Sequence, residues 1–262
     1  MRIIRVKYGG ASFYAALTDD NTLHCLQKNL NIEDLSMSDV TMLPLVAPSK
    51  IVCVGLNYRA HADELNMPFT AKPPFFLKPP SSLIGNKQTI LLPPGVGRVD
   101  YEAELALIIG QPCRHVSPQE AKARIFGYTC ANDVTARDLQ KDERLMGRCK
   151  SYDTFCPVGA WIETELPPPD SEIRAVVNGE VRQQGYLADM LLPPLDLVSY
   201  LSDIMTLLPG DLVLTGTTRG IGPILDGDKV SIEVDNVGIL QNDVLAELSI
   251  SPLLDHPESS LQ

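Results

Sequence analysis

Short runs in which apolar and polar residues alternate occupy much of the chain, and each such run predicts a half-buried strand. Residues 2–26 follow this pattern with an interruption at Gly9-Gly10, so residues 1–46 are predicted to form a small β unit. Residues 172–185 alternate around Asn178-Gly179, which is typical of a two-residue hairpin turn. Two stretches punctuated by glycine predict further strands: residues 210–223 and 227–244.

Longer apolar runs indicate strands that are buried on both faces. Such runs occupy residues 50–58, 99–110 and 125–133, and the second of them is predicted to be one uninterrupted strand. Residues 73–80 form an extended segment between prolines. These central strands are expected to form the main sheet of the protein.

Four stretches have helical character instead. Residues 196–208 form the clearest amphipathic helix. A second helix begins after Ser117, because Glu120 follows it at the spacing of a capping box. The other two predicted helices are residues 59–67, ended by Pro68, and residues 134–144.

Composition supports a β-rich fold. The chain has 262 residues, and its 21 prolines and 18 glycines favour short elements with many turns. Strands and helices do not alternate regularly, so we predict a β-rich α+β fold and not a doubly wound parallel sheet. The boundaries are predicted to be a small N-terminal β unit at 1–46, a main domain at 47–251 and a loose tail at 252–262.

The net charge limits the kinds of partner that we expect. The formal net charge of −11 repels phosphate backbones, so we expect no nucleic-acid partner. The simpler interpretation of that charge is that it keeps the protein in solution. No apolar run approaches a membrane span, and the N-terminus lacks the apolar core of a signal peptide. The six cysteines lack zinc-ligand spacing and several lie in apolar runs. Reduced, buried thiols and a cytoplasmic location are therefore predicted.

Glu102 and Glu104 are the first candidates for chemistry. Side chains at positions i and i+2 of a strand point to the same face, so both carboxylates are expected to lie together. Burying them unpaired is costly, and a bound cation would relieve both desolvation and repulsion. The simpler alternative is an ordinary solvated pair of glutamates. Spacing alone does not decide between the two interpretations.

Asp133 adds a third carboxylate at the end of an apolar strand, where the predicted helix begins. It could present a ligand into a cleft, or it could be an N-cap that accepts bonds from the first free amides. Three carboxylates without nearby cysteine or histidine would form an oxygen-only site. Such a site selects Mg²⁺, Mn²⁺ or Ca²⁺ over zinc or copper.

Arg137 and Gln140 lie four and seven residues after Asp133, so a continuous helix would place all three on one face. They could grip a substrate carboxylate, or Arg137 could be a surface charge paired with Asp133. Lys150 could stabilise a developing negative charge, although most lysines are solvated surface groups. Lys78 offers the same chemistry with a weaker case.

His61 and Glu64 are three residues apart in a predicted helix and share one of its faces. A carboxylate beside an imidazole orients the ring and makes it a candidate general base, whereas the alternative is an exposed ion pair. The glycine-rich residues 216–222 match neither a Walker nor a dinucleotide loop. They are predicted to form a tight turn in which Thr217 can contact a substrate oxygen.

Taken in order, these segments resemble the fumarylacetoacetate hydrolase family. The resemblance covers roughly residues 50–245, and residues 1–46 resemble the short N-terminal extension of many bacterial members. The matching segments are GLNYRAHADE, PFFLKP, VDYEAELALIIG, GYTCANDVTARDLQ, KSYDTFCPVG, VNGEVRQ, PGDLVLTGTTRGIG and GDKVSIEVDNVG. Together they imply a mixed β-roll with short helices, assembled as a homodimer.

The resemblance also implies roles for the candidate residues. Glu102, Glu104 and Asp133 would bind Mg²⁺ or Mn²⁺. His61 and Glu64 would form a water-activating pair on a mobile lid.

Four further residues correspond to positions near the substrate in relatives. Lys150 would support the charged intermediate, and the positions that match substrate contacts in some relatives are Arg137, Gln140 and Thr217. The substrate class would be a small anionic 2-oxo acid, of the kind met in the breakdown of aromatic compounds.

Three functions stay open at the level of sequence. Hydrolysis of a carbon–carbon bond in an acylpyruvate or fumarylacetoacetate-type acid is favoured by the intact His61–Glu64 pair. An isomerase, tautomerase or decarboxylase would need only the metal and an enolate. Its substrates would be 2-oxo dioic acids of the 2-hydroxyhepta-2,4-diene-1,7-dioate, 5-carboxymethyl-2-hydroxymuconate or oxaloacetate type. A non-catalytic metal-binding module is the third function, although binding alone does not require the pair.

Overall fold

A computed structural model describes residues 1–68, 70–143 and 146–248, so the predicted tail at 252–262 lies outside the described residues. The α-helices are α1 (Arg59–Glu64), α2 (Pro118–Lys122), α3 (Arg137–Glu143), α4 (Met146–Lys150) and α5 (Pro194–Ile204). The strands of the first half are β1 (Arg2–Tyr8), β2 (Ala11–Leu17), β3 (Thr22–Cys25), β4 (Leu35–Ser36), β5 (Thr41–Met42), β6 (Ile51–Val54), β7 (Phe75–Lys78), β8 (Leu83–Ile84), β9 (Thr89–Leu92), β10 (Val99–Tyr101) and β11 (Ala103–Ile109). Those of the second half are β12 (Ile125–Asn132), β13 (Thr135–Ala136), β14 (Cys156–Glu163), β15 (Glu172–Val177), β16 (Glu180–Tyr186), β17 (Leu212–Leu214), β18 (Gly222–Pro223), β19 (Lys229–Val234) and β20 (Gly238–Ala246).

The described strands form three sheets. The largest runs in the order β4-β3-β2-β1-β14-β12-β11-β17-β6-β7, with β5 beside β1 and β8 beside β14. A second sheet runs β16-β15-β19-β20-β9, and a small one runs β13-β10-β18. Most neighbours are antiparallel, whereas β17–β6, β14–β8 and β20–β9 are parallel. The sheets are therefore mixed, as expected for a β-roll.

Strand β11 shows why the centre of the chain is so apolar. One face places Leu105 and Leu107 in the main core, which includes Ile173 and Ile232 of the second sheet. The opposite face places Ala106 and Ile108 in a separate apolar cluster. Because both faces are covered, the alternation expected of a half-buried strand is absent here.

The N-terminal β unit has a core of its own, formed by residues such as Ile4, Phe13 and Leu23. Its strand β1 also pairs with β14, so the unit extends the largest sheet. The boundary after residue 46 stays a prediction. No helix in the described ranges is long and apolar enough to span a membrane.

Several predicted elements are confirmed by the structure. The hairpin β15–β16 turns at Asn178-Gly179, whose φ angles of 52° and 83° require residues tolerant of left-handed backbone. Ser117 and Glu120 form the predicted capping box of α2. All six cysteines are free thiols, and five of them are buried.

Several predicted boundaries are wrong. The strand predicted over 50–58 ends at Val54, and the helix predicted over 59–67 ends at Glu64. Residues 99–110 are not one strand, because Glu102 separates β10 from β11. The helix predicted over 134–144 begins only at Arg137, because β13 pairs with β10 first. The amphipathic helix α5 ends at Ile204, four residues before the predicted end at Leu208.

A buried aspartate holds the start of two central strands together. Asp211 Oδ1 accepts hydrogen bonds from the amides of Ser49 and Lys50 at 3.0 and 3.2 Å and from Ser49 Oγ at 2.7 Å. Its Oδ2 accepts from the amide of Leu208 at 2.8 Å and pairs with the Lys50 ammonium. Burial by itself raises the pKa of Asp211, but these donors hold the pKa below its ordinary value.

We expect the substitution Asp211→Asn to lower the free energy of unfolding by about 2–3 kcal/mol at pH 7, since an amide nitrogen cannot accept the Leu208 bond. The folded-state pKa lies below the unfolded one, so this stabilisation is present at neutral pH and is lost as pH falls through the folded value. The difference between variant and wild type should therefore shrink below about pH 4. Urea unfolding at pH 7, 4.5 and 3.5 measures it, with the exposed Asp170→Asn as control. A pH-independent difference would contradict the assignment.

Candidate active site

Glu102 occupies a one-residue gap between β10 and β11 and lies opposite the end of β12. The next residue, Ala103, pairs with Asn132, the last residue of β12. The amide of Glu102 donates to Asn132 Oδ1 at 2.9 Å, and its carbonyl accepts from the amide of Asp133 at 3.0 Å. The paired ends of two strands thus place the Glu102 and Asp133 side chains side by side.

The predicted carboxylate triad converges. One oxygen each from Glu102, Glu104 and Asp133 lies within 4.8 Å of the others. These residues are only 4%, 1% and 1% exposed, which excludes the solvated pair considered from the sequence. Asp133 is not a helix N-cap, because its carboxylate binds two lysines and the helix begins four residues later. The arrangement suits a hard divalent cation, and the role of the triad as ligands stays a prediction.

Three buried cations neutralise two of these carboxylates. The Lys150 ammonium bridges Glu102 Oε2 at 2.8 Å and Asp133 Oδ2 at 2.7 Å. Burial disfavours its charge, yet the nearby Asp133 and Glu102 raise the pKa of Lys150 above its ordinary value. Arg137 contacts the other Glu102 oxygen, and Lys78 contacts the other Asp133 oxygen. Each of these two carboxylates is therefore paired with two buried cations.

Glu104 has a different environment. Its Oε2 accepts from the amide of Gly216 at 2.6 Å, and no lysine, arginine or histidine nitrogen of the described residues forms an ion pair with it. Burial, followed by the negative charges of Asp133 and Glu102, raises the pKa of Glu104 well above its ordinary value. Glu104 is thus the member of the triad whose charge most requires an added cation.

His61 and Glu64 form the contact expected from their spacing on α1. His61 Nδ1 lies 3.0 Å from Glu64 Oε2, while Glu64 Oε1 accepts from the amide of Gly220 at 2.9 Å. His61 is 4% exposed whereas Glu64 is exposed, so the imidazole of the pair is buried and only its carboxylate partner reaches the surface. Its Nε2 has no hydrogen-bond partner among the described residues and is available to a ligand. The role of His61 as a base stays a prediction.

Members of both groups line one cavity of about 440 Å³. Its polar lining is formed by His61, Glu102, Asp133, Arg137, Gln140, Lys141, Lys150 and Thr217. Its apolar lining is formed by residues such as Leu56, Leu65, Met67, Pro74, Phe76 and Met146. A larger cavity of about 560 Å³ lies against the second sheet beside Lys229 and Asp243, and no candidate site residue lines it. The chemistry therefore belongs to the smaller cavity.

The predicted substrate contacts need correction. Asp133 precedes β13, so it does not share a helix face with Arg137 and Gln140, although all three reach the cavity. Arg137 Nε binds Asp100 Oδ2 at 2.8 Å and its other nitrogens contact Glu102 and Gln140, so the guanidinium already holds carboxylates of the protein. Thr217 Oγ1 donates to the carbonyl of Ala103 at 2.8 Å and accepts from Gln183 Nε2 at 2.7 Å, so its proton is not free for a substrate oxygen. Substrate contact by these residues stays a prediction.

Two charged residues of the site were underestimated or missed from the sequence. Lys78 is 1% exposed and holds Asp133, although a lysine before two prolines looks like a surface group. Asp100 is fully buried and holds Arg137. A signal for Asp100 existed, since it precedes Glu102 by two residues within an apolar run. The apolar pair Phe75-Phe76 was a similar signal for Lys78.

Buried carboxylates and a histidine thus line one cavity of a mixed-sheet fold, which is the arrangement of a candidate active site. Residues 50–245 match the family model described as fumarylacetoacetate (FAA) hydrolase, C-terminal. The chain belongs to the fumarylacetoacetate hydrolase family, whose members are enzymes that act on oxo acids.

Named relatives catalyse different reactions. Human mitochondrial oxaloacetate tautomerase FAHD2A is 39% identical over 226 residues, which cover 80% of this chain and 71% of that protein. The structure of 5-carboxymethyl-2-hydroxymuconate delta-isomerase from Mycobacterium smegmatis is 40% identical with a TM-score of 0.84, covering 95% and 100% of the two chains. Maleylpyruvate hydrolase from Sphingobium sp. SYK-6, in complex with manganese(II) ion and pyruvate, is 30% identical with a TM-score of 0.77 and the same coverage. These matches confirm the predicted β-rich fold.

Proposed function

We propose that the chain is a divalent-metal-dependent enzyme that hydrolyses a carbon–carbon bond in a small 2,4-dioxo acid such as an acylpyruvate. The proposal rests on one observation: His61, oriented by Glu64, lines the same cavity as Glu102 and Asp133, and an oxygen of Glu104 lies within 4.8 Å of theirs. A site that only bound a metal would not need a buried, oriented imidazole beside it.

The triad fits Mg²⁺ or Mn²⁺, and its oxygen donors are also compatible with Ca²⁺. Support comes from Glu104, which is buried without a cationic partner among the described residues. Further support comes from the hydrolase structure whose name includes manganese(II) and pyruvate. When bound, the ion would supply Lewis-acid stabilisation of the negative charge that develops on substrate oxygens.

His61 is proposed to act as the general base. Glu64 orients the ring through Nδ1, which leaves Nε2 to take a proton from a water molecule. The resulting hydroxide adds to the distal carbonyl carbon of the substrate. The carbon–carbon bond then breaks, and its electron pair passes to the pyruvate fragment as an enolate. Protonation of that enolate carbon by the protonated His61 returns the base and releases both acids.

Lys150 is proposed to stabilise the enolate. Its ammonium lies between Glu102 and Asp133 and 5.1 Å from the centroid of the Phe76 ring, inside the cavity. A fixed positive charge in a water-excluded site stabilises developing negative charge more strongly than the same positive charge does when it is exposed to water. The raised pKa of Lys150 keeps this charge in place at neutral pH, because burial is outweighed by Asp133 and Glu102.

A second candidate is keto–enol tautomerisation or isomerisation of a 2-oxo acid. It is favoured by the tautomerase and isomerase relatives, which are 39% and 40% identical, against 30% for the hydrolase. In this reaction His61 would move a proton between carbon and oxygen without activating water. Lys150 would serve the same purpose in both reactions.

The test is to remove metal with a chelator, restore Mg²⁺ or Mn²⁺, and follow an acylpyruvate and oxaloacetate in parallel by ultraviolet absorbance. Metal-restored cleavage of the acylpyruvate, with pyruvate as product, is the expected result. Turnover of oxaloacetate alone would transfer the assignment to the second candidate. Absence of turnover of both acids with either metal would contradict the proposal.

A further inference from the structure

A second cavity lies beside the active-site cavity, and the two share apolar wall residues. This outer cavity has a volume of about 460 Å³ and shares Leu56, Met67 and Pro74 with the first. Tyr200 of α5 forms part of its wall, and the Tyr200 hydroxyl donates to the carbonyl of Pro73 at 3.3 Å. Because that hydroxyl is already bonded, the wall offers mainly the ring. We call the two joined apolar regions the tail groove.

The tail groove is poorly equipped to hold a carboxylate. The buried cations of the site, Lys78, Arg137 and Lys150, are each already paired with carboxylates of the protein. Two lysines line the cavities elsewhere, Lys72 and Lys141, and both are exposed. An exposed ammonium gains little from pairing in water, whereas placing a carboxylate against apolar walls costs desolvation.

We propose, on the basis of the proposed function, that the substrate carries a single carboxylate and an unbranched apolar tail of several carbons. The 2-oxo acid end lies at the triad and Lys150, and the tail extends past Leu56 and Met67 into the groove. A 2-oxo dioic acid, with a second carboxylate at its far end, is the poorer ligand. The proposed substrates are therefore monocarboxylic 2-oxo acids with an apolar tail, a narrower class than oxo acids in general.

Binding of 2-oxo acids to the metal-loaded protein tests the proposal without depending on which reaction follows. Isothermal titration calorimetry is run with the straight-chain series from pyruvate to 2-oxooctanoate, and with 2-oxoglutarate and 2-oxoadipate. Each added methylene that enters the groove should tighten Kd by about threefold to fourfold. The two dioic acids should bind more weakly than monoacids of the same length.

The substitution Met67→Lys places a cation at the junction of the two cavities. It should reduce the gain per methylene to nearly none and tighten dioic-acid binding by about twofold to fivefold. Met42→Lys is the matched control, since Met42 is 43% exposed against 45% for Met67 and lies on β5, away from both cavities. The control should show the same dependence of Kd on chain length as the wild type. Thermal unfolding checks that both variants fold.

The outcomes separate the two proposals. A wild-type Kd that does not change with chain length, or dioic acids that bind best, would overturn the tail groove and leave the proposed function intact. Equal effects of Met67→Lys and Met42→Lys would also overturn it, since the response would then be a general charge effect. If no 2-oxo acid binds the metal-loaded protein, both the groove and the proposed function are wrong.

Discussion

The substitution Glu104→Gln should leave the metal-free protein as stable as the wild type or slightly more stable, while abolishing its stabilisation by Mg²⁺ or Mn²⁺. Glu104 is buried beside Asp133 and Glu102, which raise its pKa together with burial, and an amide removes that repulsion. The Gly216 amide can still donate to the glutamine oxygen. At a hundredfold excess over Kd, the ion should stabilise the wild type by about 2.7 kcal/mol. Thermal and urea unfolding with and without metal measure both effects.

Glu102→Gln is the matched control because it makes the same change on a carboxylate with the opposite environment. Glu102 binds Arg137 and Lys150, and these cations hold its pKa below the ordinary value despite burial. Removing its charge should lower the free energy of unfolding of the metal-free protein by about 3–5 kcal/mol. If both substitutions changed metal-free stability equally, or if Glu104→Gln kept full stabilisation by metal, the assignment of Glu104 would be wrong.

Replacing His61 by alanine should lower kcat for acylpyruvate hydrolysis by about a hundredfold to ten-thousandfold, the usual contribution of a positioned general base. The stabilisation by metal should be retained, because His61 is not a member of the triad. Steady-state kinetics on metal-loaded protein, together with unfolding with and without metal, separate the two effects. Unchanged hydrolysis in His61→Ala would exclude the hydrolytic mechanism.

His115→Ala provides the matched control for that substitution. His115 Nδ1 lies 3.0 Å from Asp203 Oδ1, the same distance as in the His61–Glu64 pair, but both side chains are exposed. The control should leave hydrolysis unchanged. The kcat of Glu64→Gln should fall between those of His61→Ala and His115→Ala, since glutamine can still accept from Nδ1 without supplying a negative charge. A large loss in His115→Ala would show that the effect at His61 is not specific to the site.

The parts of the fold and site that depend on local spacing could be predicted from the sequence. The hairpin at Asn178-Gly179 follows from turn preference, and the contact of His61 with Glu64 follows from one helical turn. The two glutamates converge as their spacing predicts, although Glu102 lies just before β11 and not within it. Each of these features is set by residues close together in the chain.

The parts that depend on distant pairing could not be predicted in this way. Lys78 and Asp133 are 55 residues apart and meet only because β7 and β12 belong to the same sheet. The helix start at Arg137 was misplaced because the pairing of β13 with β10 overrides the helical character of the preceding residues. Arg137 was predicted to contact substrate because its partner Asp100 is distant in sequence. The pairing of β10 with β13 brings Asp100 beside it.

The break in the strand at Glu102 has a consequence for ion exchange. Main-chain groups tie Glu102 to Asn132 and Asp133, so two of the three proposed ligands belong to one hydrogen-bonded unit. Separating those two residues requires opening the sheet, which costs far more free energy than turning a side chain. The proposed ligands are thus preorganised, and little ordering would remain to be done when an ion binds. We therefore expect the rate of ion exchange at this site to be set by dehydration of the ion.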